Sequence, residues 1–349
     1  MTETLPHLVV RADAGSAIGT GHAMRLLALT QAWRDAGGAA TLLTAGSPEW
    51  ILERYEREGA TAQRLDDLDE AADAAALVAA TRAHEAAVAV VDGPRFDERY
   101  LDALEPIRDR TLAVDDMAAL PRYPVAVVVN QNAHADRARY PQESMARFLL
   151  GLDYVLLRRE FHEAPPRRNV AERGRRVLVT FGGADPTGMT MRALEALGVV
   201  ARSRGDLEVV VVVGPANPAA EEIAGAVRSA PFTARLDRSV QDMTSRIAWA
   251  DLALVSAGST VWELARMGCP ALVVETAPAE PHLAAGLGRL GLFDRLGPAD
   301  GITTMGLAGA ITARLDDTSW RAAMAALGPS LVDGRGAARV AGELRALLP

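Results

Sequence analysis

The chain has 349 residues, 49% of them hydrophobic, with one cysteine and a formal net charge of −8. That length favours two domains over one, a lone Cys269 excludes a disulfide framework and any multi-cysteine metal site, and the acidic balance argues against a nucleic-acid partner. All 37 basic residues are arginine, so lysine-dependent chemistry, that of P-loop NTPases and pyridoxal phosphate enzymes, drops out.

The first apolar run, HLVVRAD, reads as a strand, and a helix over 24–36 follows it. Strands ATLLTA, AVAVVDG, TLAVDD and AVVVNQ come next, with helices over 49–58 and 71–84 between them. The charged stretch RREFHEAPPRRNVAERGRR contains Pro165-Pro166 and has no period, so it reads as a connector. This places one domain at 1–158, a linker at 159–176 and a second domain at 177–349. The second half repeats the alternation with strands RVLVTFGG, LEVVVVVG, DLALVSAG and PALVVE. Its helices open at "DPTGMTMRALEAL", "NPAAEEIAGAV" and "STVWELARMG". Asp185-Pro186 and Asn217-Pro218 are cap-plus-proline signals, and Gly268 suits a helix end. The expected fold is α/β, with two doubly wound, Rossmann-type domains facing a central cleft. The last stretch, GRGAARVAGELRALLP, is an amphipathic helix that packs on its own domain or back on the first.

Ligands of open parallel sheets bind beyond the carboxyl ends of the strands. The polar residues there are Arg11, Asp13, Asp92, Asp115, Asp116, Asn130, Gln131, Gly182 to Asp185, Gly214 and Ser256 to Thr260. The first glycine loop, GSAIGTGHAMR, lacks the third glycine of a dinucleotide fingerprint, because Met24 stands in its place. Within it, His22 falls at a helix N-terminus, where the dipole favours the neutral ring of a general base. A helix-capping or packing role for His22 is equally consistent with the residues alone. The second loop, Ser256-Ala257-Gly258-Ser259-Thr260, presents small residues and helix-opening N–H groups suited to a pyrophosphate, with Glu263 one turn on for ribose hydroxyls. Upstream, SVQDMTSRIAWA offers backbone contacts to a base. The loop VTFGGADPTGM either faces substrate or is only a tight turn.

No metal is expected. Asp67-Leu68-Asp69 sits before a helix start and suits its dipole, and the adjacent carboxylates of Asp115 and Asp116 point in different directions. His7, His84, His134, His162 and His282 show no ligand spacing.

The motifs RADAGSAIGTGHAMRLLAL, VTFGGADPTGMTMRALEAL and VQDMTSRIAWADLALVSAGSTVWELARMGCPALVV, in this order, resemble the pseudaminic-acid-pathway UDP-sugar hydrolases. These group with spore-coat polysaccharide glycosyltransferases, and all are similar to MurG-type GT-B enzymes. The resemblance implies a GT-B fold, UDP held mainly by the second domain, and His22 activating water at the anomeric carbon. It puts His22 and Asp92 at the chemistry. Arg11, Asp13, Gly19, Gly21, Arg25, Asn130, Gly182, Gly183, Glu280 and His282 are expected beside the substrate. Met243, Ser256, Ala257, Gly258, Ser259, Thr260 and Glu263 are expected on the nucleotide. Two positions depart from the hydrolase pattern: Pro94 replaces a tyrosine and Ala279-Glu280 an Asn-Gln pair.

The reading that follows is hydrolysis of a UDP-linked amino sugar, with a glycosyltransferase as its alternative. A UDP-sugar 2-epimerase and a nucleotide binder without turnover stand behind these. No cofactor is expected, UDP being part of the substrate. The partner is a nucleotide-sugar, with no nucleic acid and no membrane span, and the chain is read as a monomer or weak homodimer. No apolar run approaches ~18 residues, and no signal peptide is legible, so a cytoplasmic location is expected.

Overall fold

The computed structural model describes residues 6–348 apart from 16–17, 67–68, 167–168, 184, 215–216, 239, 241 and 278–279, with 280 and 281 described through their backbone. It divides into two compact units, Met1–Arg159 with Gly334–Pro349, and Glu160–Asp333.

In chain order the first unit contains β1 (His7–Ala12), α1 (Gly21–Asp35), β2 (Ala39–Thr44), α2 (Glu49–Arg57), β3 (Thr61–Arg64), α3 (Glu70–Arg82), β4 (Ala87–Asp92), α4 (Glu98–Ala103), β5 (Thr111–Val114), β6 (Val127–Asn130) and β7 (Arg147–Leu150). The strands form one parallel sheet in the order β3-β2-β1-β4-β5-β6-β7. Leu8 and Val10 pack on α1 at one face, while Val9 joins Ala89, Val91 and Leu77 at the other. Burial on both faces explains why β1 and β4 read as unbroken apolar runs.

The short helix α5 (Arg159–Glu163) occupies the start of the expected linker. Arg159 anchors this end to the first unit, with its guanidinium on Asp35 and Glu58 at 2.6 to 3.0 Å. The second unit continues with β8 (Arg176–Thr180), α6 (Met189–Ala201), β9 (Glu208–Val213), α7 (Ala220–Arg228), β10 (Thr233–Arg238), α8 (Met243–Trp249), β11 (Leu252–Ser256), α9 (Thr260–Met267), β12 (Ala271–Glu275), α10 (Glu280–Arg289), β13 (Asp294–Pro298), α11 (Thr304–Asp316) and α12 (Thr318–Leu331). Its parallel strands are ordered β10-β9-β8-β11-β12-β13. Both sheets are doubly wound, as the alternation of apolar runs and helices implies.

The chain ends on α13 (Gly336–Arg345), which lies on α1 of the first unit. Val340 and Leu344 are fully buried in that core. Gly336 makes the approach feasible, because a Cβ there would meet the carbonyl oxygen of Val155 at 2.3 Å.

Two helix starts differ from the sequence expectation. The helix expected at Pro186 begins at Met189, and the one expected at Pro218 begins at Ala220. In both cases the polar side chain still serves the turn. Asp185 accepts from the N–H groups of Met189 and Thr190 at 2.9 and 2.7 Å, and Asn217 Oδ1 accepts from Ala219 N–H at 2.9 Å.

Candidate functional site

Strand order reverses between β1 and β4 in the first unit and between β8 and β11 in the second. Crevices at such switch points, beyond the carboxyl ends of the strands, are where doubly wound sheets bind ligands. Both sequence-selected glycine loops fall there.

In the first unit, Gly15 and Gly19 close their loop on each other through two backbone hydrogen bonds of 3.0 and 2.8 Å. Gly19 takes φ +74°, a conformation that favours glycine. Gly21 opens α1, and His22 stands on its first turn with about a quarter of its side chain exposed. His22 does not cap the helix. Its Nδ1 lies 2.8 Å from Asp92 Oδ1, at the end of β4. Asp92 is buried, and its other contacts come from Arg25, Nε to Oδ2 at 2.5 Å and one terminal nitrogen to Oδ1 at 2.6 Å.

Burial alone pushes the Asp92 carboxyl up, but the charges of Arg25 and His22 and their hydrogen bonds outweigh it and bring it down to about 2. An ionised carboxylate only accepts hydrogen bonds. Nδ1 of His22 therefore carries a proton and donates to Asp92, so that in the neutral ring the lone pair is on Nε2.

Arg25 reaches further. Its terminal nitrogens meet Asp116 at 2.9 and 2.8 Å. Asp116 also accepts from Asn132 Nδ2 at 2.7 Å, and its backbone carbonyl accepts from His134 Nε2 at 2.8 Å. Burial raises the Asp116 carboxyl, yet the Arg25 charge holds it below its usual value. A buried carboxylate and a part-exposed one thus share one guanidinium. Asp115 turns the other way, accepting from the N–H groups of Met117 and Ala118 and from the Tyr123 hydroxyl at 2.9 to 3.0 Å.

Several residues expected beside the substrate are engaged inside the protein instead. Arg11 is 0% exposed, and its guanidinium is divided between Asp73 and Asp13 at 2.5 to 3.1 Å. Arg25 is nearly buried by the pairs just described. Asn130 is buried, donating to the Tyr140 hydroxyl at 3.0 Å and accepting from Asn132 at 3.0 and 3.1 Å. Asp13 is partly open, accepting from Ala45 N–H at 2.7 Å and facing Arg95 at 3.4 Å. The residues that sequence reasoning missed are Asn132 and His134, and the pairing of Asp116 with Arg25. The signal for the last was the spacing of His22 and Arg25, which share one helix face.

In the second unit the two turns differ in kind. Gly182, at φ +79°, and Gly183 follow β8, and the α carbon of Gly183 lies against Gly214. The start of α6 is occupied by the carboxylate of Asp185, so it offers no open anion site. The turn after β11 is open. Ala257 is buried and gives its N–H to the Val274 carbonyl at 3.0 Å. Among the described residues nothing accepts from the N–H groups of Gly258, Ser259 or Thr260, and the Ser259 side chain does not cap α9. Three N–H donors and two hydroxyls there match an anion's needs.

Glu263 is half-buried on the first turn of α9, and Met243 opens α8 behind an Asp242 cap. His282 is exposed on the first turn of α10. Ala279 lies outside the described residues, as does the Glu280 side chain; so do Asp67 and Leu68 of the D-x-D stretch, whereas Asp69 caps α3.

No protein-family model matches the chain. MurG of Acinetobacter baumannii superposes with a TM-score of 0.67 at 15% identity, over 98% of this chain and 99% of that one. A kitacinnamycin glycosyltransferase gives a TM-score of 0.67 at 15% identity, over 99% and 100% of the two chains. The fold is GT-B. A Listeria monocytogenes protein described as a UDP-N-acetylglucosamine 2-epimerase shares it at a TM-score of 0.65 and 15% identity, over 96% of this chain and 94% of that one. In sequence, the spore coat polysaccharide biosynthesis protein SpsG of Bacillus subtilis is 26% identical over 60% of this chain. An uncharacterized protein of Methanocaldococcus jannaschii is 21% identical over 76% of it. The matched stretches span 62% and 55% of the lengths of these two relatives. Within this GT-B fold, both switch points carry the loops singled out above, the His22–Asp92 pair in one unit and the open turn in the other.

Proposed function

We infer that this GT-B protein transfers a glycosyl group from a nucleoside-diphosphate sugar, UDP-linked in the first instance, to a hydroxyl acceptor. The observation that carries the reading is the 2.8 Å contact of His22 Nδ1 with the ionised Asp92 carboxylate, which in the neutral ring leaves the lone pair on Nε2. Nε2 takes the proton of the acceptor hydroxyl as its oxygen attacks the anomeric carbon. The bond from that carbon to the diphosphate oxygen breaks, and its electron pair leaves on the diphosphate. The N–H groups of Gly258, Ser259 and Thr260 receive that charge, Glu263 accepts from the ribose hydroxyls, and the backbone at Met243 meets the base. Arg11, Arg25 and Asn130 act beneath this surface, holding carboxylates and turns in place.

The glycosyltransferase names of the structural neighbours and the SpsG likeness support transfer ahead of the hydrolysis expected from the motifs. Hydrolysis stands second, on the motif resemblance. The deciding experiment incubates the protein with UDP-N-acetylglucosamine and other UDP-sugars without acceptor and follows UDP. Transfer predicts slow release that an added acceptor accelerates; efficient acceptor-free release establishes the hydrolase. Failure of UDP itself to bind overturns both.

A further inference from the structure

At the amino ends of the second unit's strands, opposite the glycine turns, lies an open cavity of about 470 Å³. Arg176, Trp249, Met267, Asn169, Val170 and Asp251 are in its wall. Arg176 begins β8, whereas the turn after β11 stands at the other end of the sheet. Five strand residues at about 3.3 Å each separate the two ends by roughly 15 Å.

Arg176 is unusual among the arginines of this protein. Its Nε is buried with no hydrogen-bond partner. Other arginines with a sealed Nε, such as Arg204 and Arg321, place their terminal nitrogens on carboxylates or carbonyls. Among the described residues nothing accepts from the Arg176 guanidinium. The carboxylates within reach are committed elsewhere. Glu208, its register partner on β9, faces Arg175 at 3.4 Å, and Asp251 accepts from the backbone N–H groups of Arg175 and Arg176 at 3.1 Å each. The guanidinium instead lies over the Trp249 indole, 5.9 Å from the ring centroid. Its part-exposed terminal nitrogens, without a counter-ion among the described residues, can pair with an anionic ligand. The indole and the side chains of Met267 and Val170 give the same cavity an apolar wall.

We propose that this cavity is a second ligand site, separate from the glycine turns, for a small organic anion with a planar or apolar body. The anion pairs with Arg176 and the body lies against Trp249. The arrangement needs no closure, because the cavity is open and the guanidinium is already stacked.

Naphthalene-2-sulfonate, a planar anion, and 2-naphthalenemethanol, its uncharged counterpart, test this by calorimetry on the full chain, with and without excess UDP. The sulfonate is expected to saturate one site that UDP does not compete for. Arg176→Met should weaken it at least tenfold while changing the alcohol less than twofold, and Trp249→Ala should weaken both. Arg176→Met removes no hydrogen bond, so its melting temperature should match the parent within a few degrees. Absence of saturable sulfonate binding, equal affinity in Arg176→Met, competition by UDP, or a collapse in the melting temperature of Arg176→Met would each overturn the proposal.

Discussion

Nδ1 of His22 sits 2.8 Å from Oδ1 of Asp92, and the carboxylate that receives its proton is itself gripped by Arg25 on both oxygens. This contact decides which ring nitrogen is basic. His22→Asn removes the base and should lower turnover by ~10²–10⁴ while leaving UDP affinity nearly intact. Asp92→Asn should do nearly as much, since an amide that donates to Nδ1 would move the ring proton to Nε2. Steady-state kinetics alongside UDP titration check this. Full turnover in either variant would remove the base assignment.

Arg25 bridges Asp92 and Asp116. Arg25→Met leaves buried Asp92 and part-exposed Asp116 without their shared cation, and the folded state should lose about 3–5 kcal/mol. Arg25→Lys keeps the charge but not the forked geometry and should lose less. Urea denaturation at neutral pH measures both. Parity between the two variants would show that charge alone matters there.

The two turns of the second unit predict opposite responses. Ser259→Asp sets a negative charge at the open turn and should weaken UDP at least tenfold with little change in stability. Asp185→Ala uncaps α6 and should cost about 0.5–2 kcal/mol of stability, with UDP affinity unchanged. Calorimetric titration and thermal melts of the pair separate the roles; an exchange of the two phenotypes would reverse them.

Acid stability should carry a signature of His7. Its ring stacks on His84 at 3.8 Å, and burial, followed by the charge of His84, lowers it from 6.5 to about 4. The unfolded chain therefore binds this proton at a higher pH than the folded chain does. Stability should fall as pH drops from about 6.5 to about 4 and lose nothing further through this residue below that. The effect should be about 1–2 kcal/mol after allowance for solvent. Denaturation midpoints of His7→Gln across that window should be flatter than those of the parent.

Gly336 tests how the chain end is fastened. A Cβ there would lie within 2.6 Å of three backbone atoms of Tyr154 and Val155. Gly336→Ala should cost about 1–3 kcal/mol and speed amide exchange in α13 and in the face of α1 beneath it. Unchanged protection would mean that the segment around 154–155 yields at little cost.

How much of this was legible varied with burial. The nine strands recognised from sequence are apolar, β-branched runs. The four that escaped are β3, β7, β10 and β13, and each is an edge strand. TAQR and TARLDR are largely exposed and carry charges, so nothing in their composition separates them from loops. The loops at the switch points were legible because glycine and small residues between a strand and a helix have few other uses. The side-chain pairing was not. Arg11 looks like a substrate ligand in sequence because it stands at a strand end, and Arg25 because it follows His22 by one helical turn. Of their carboxylate partners, Asp73, Asp92 and Asp116 lie 62 to 91 positions away, and no local pattern announces these.

By itself, the sequence determined the doubly wound class and the position of both glycine turns, because these follow from short-range periodicity and backbone sterics. Tertiary structure alone decided which nitrogen of His22 faces Asp92, that Asp185 closes one turn while the other stays open, and that Arg176 meets no counter-ion among the described residues. Those outcomes depend on groups distant in the chain meeting within hydrogen-bond range, where burial and charge, not local propensity, set the energy.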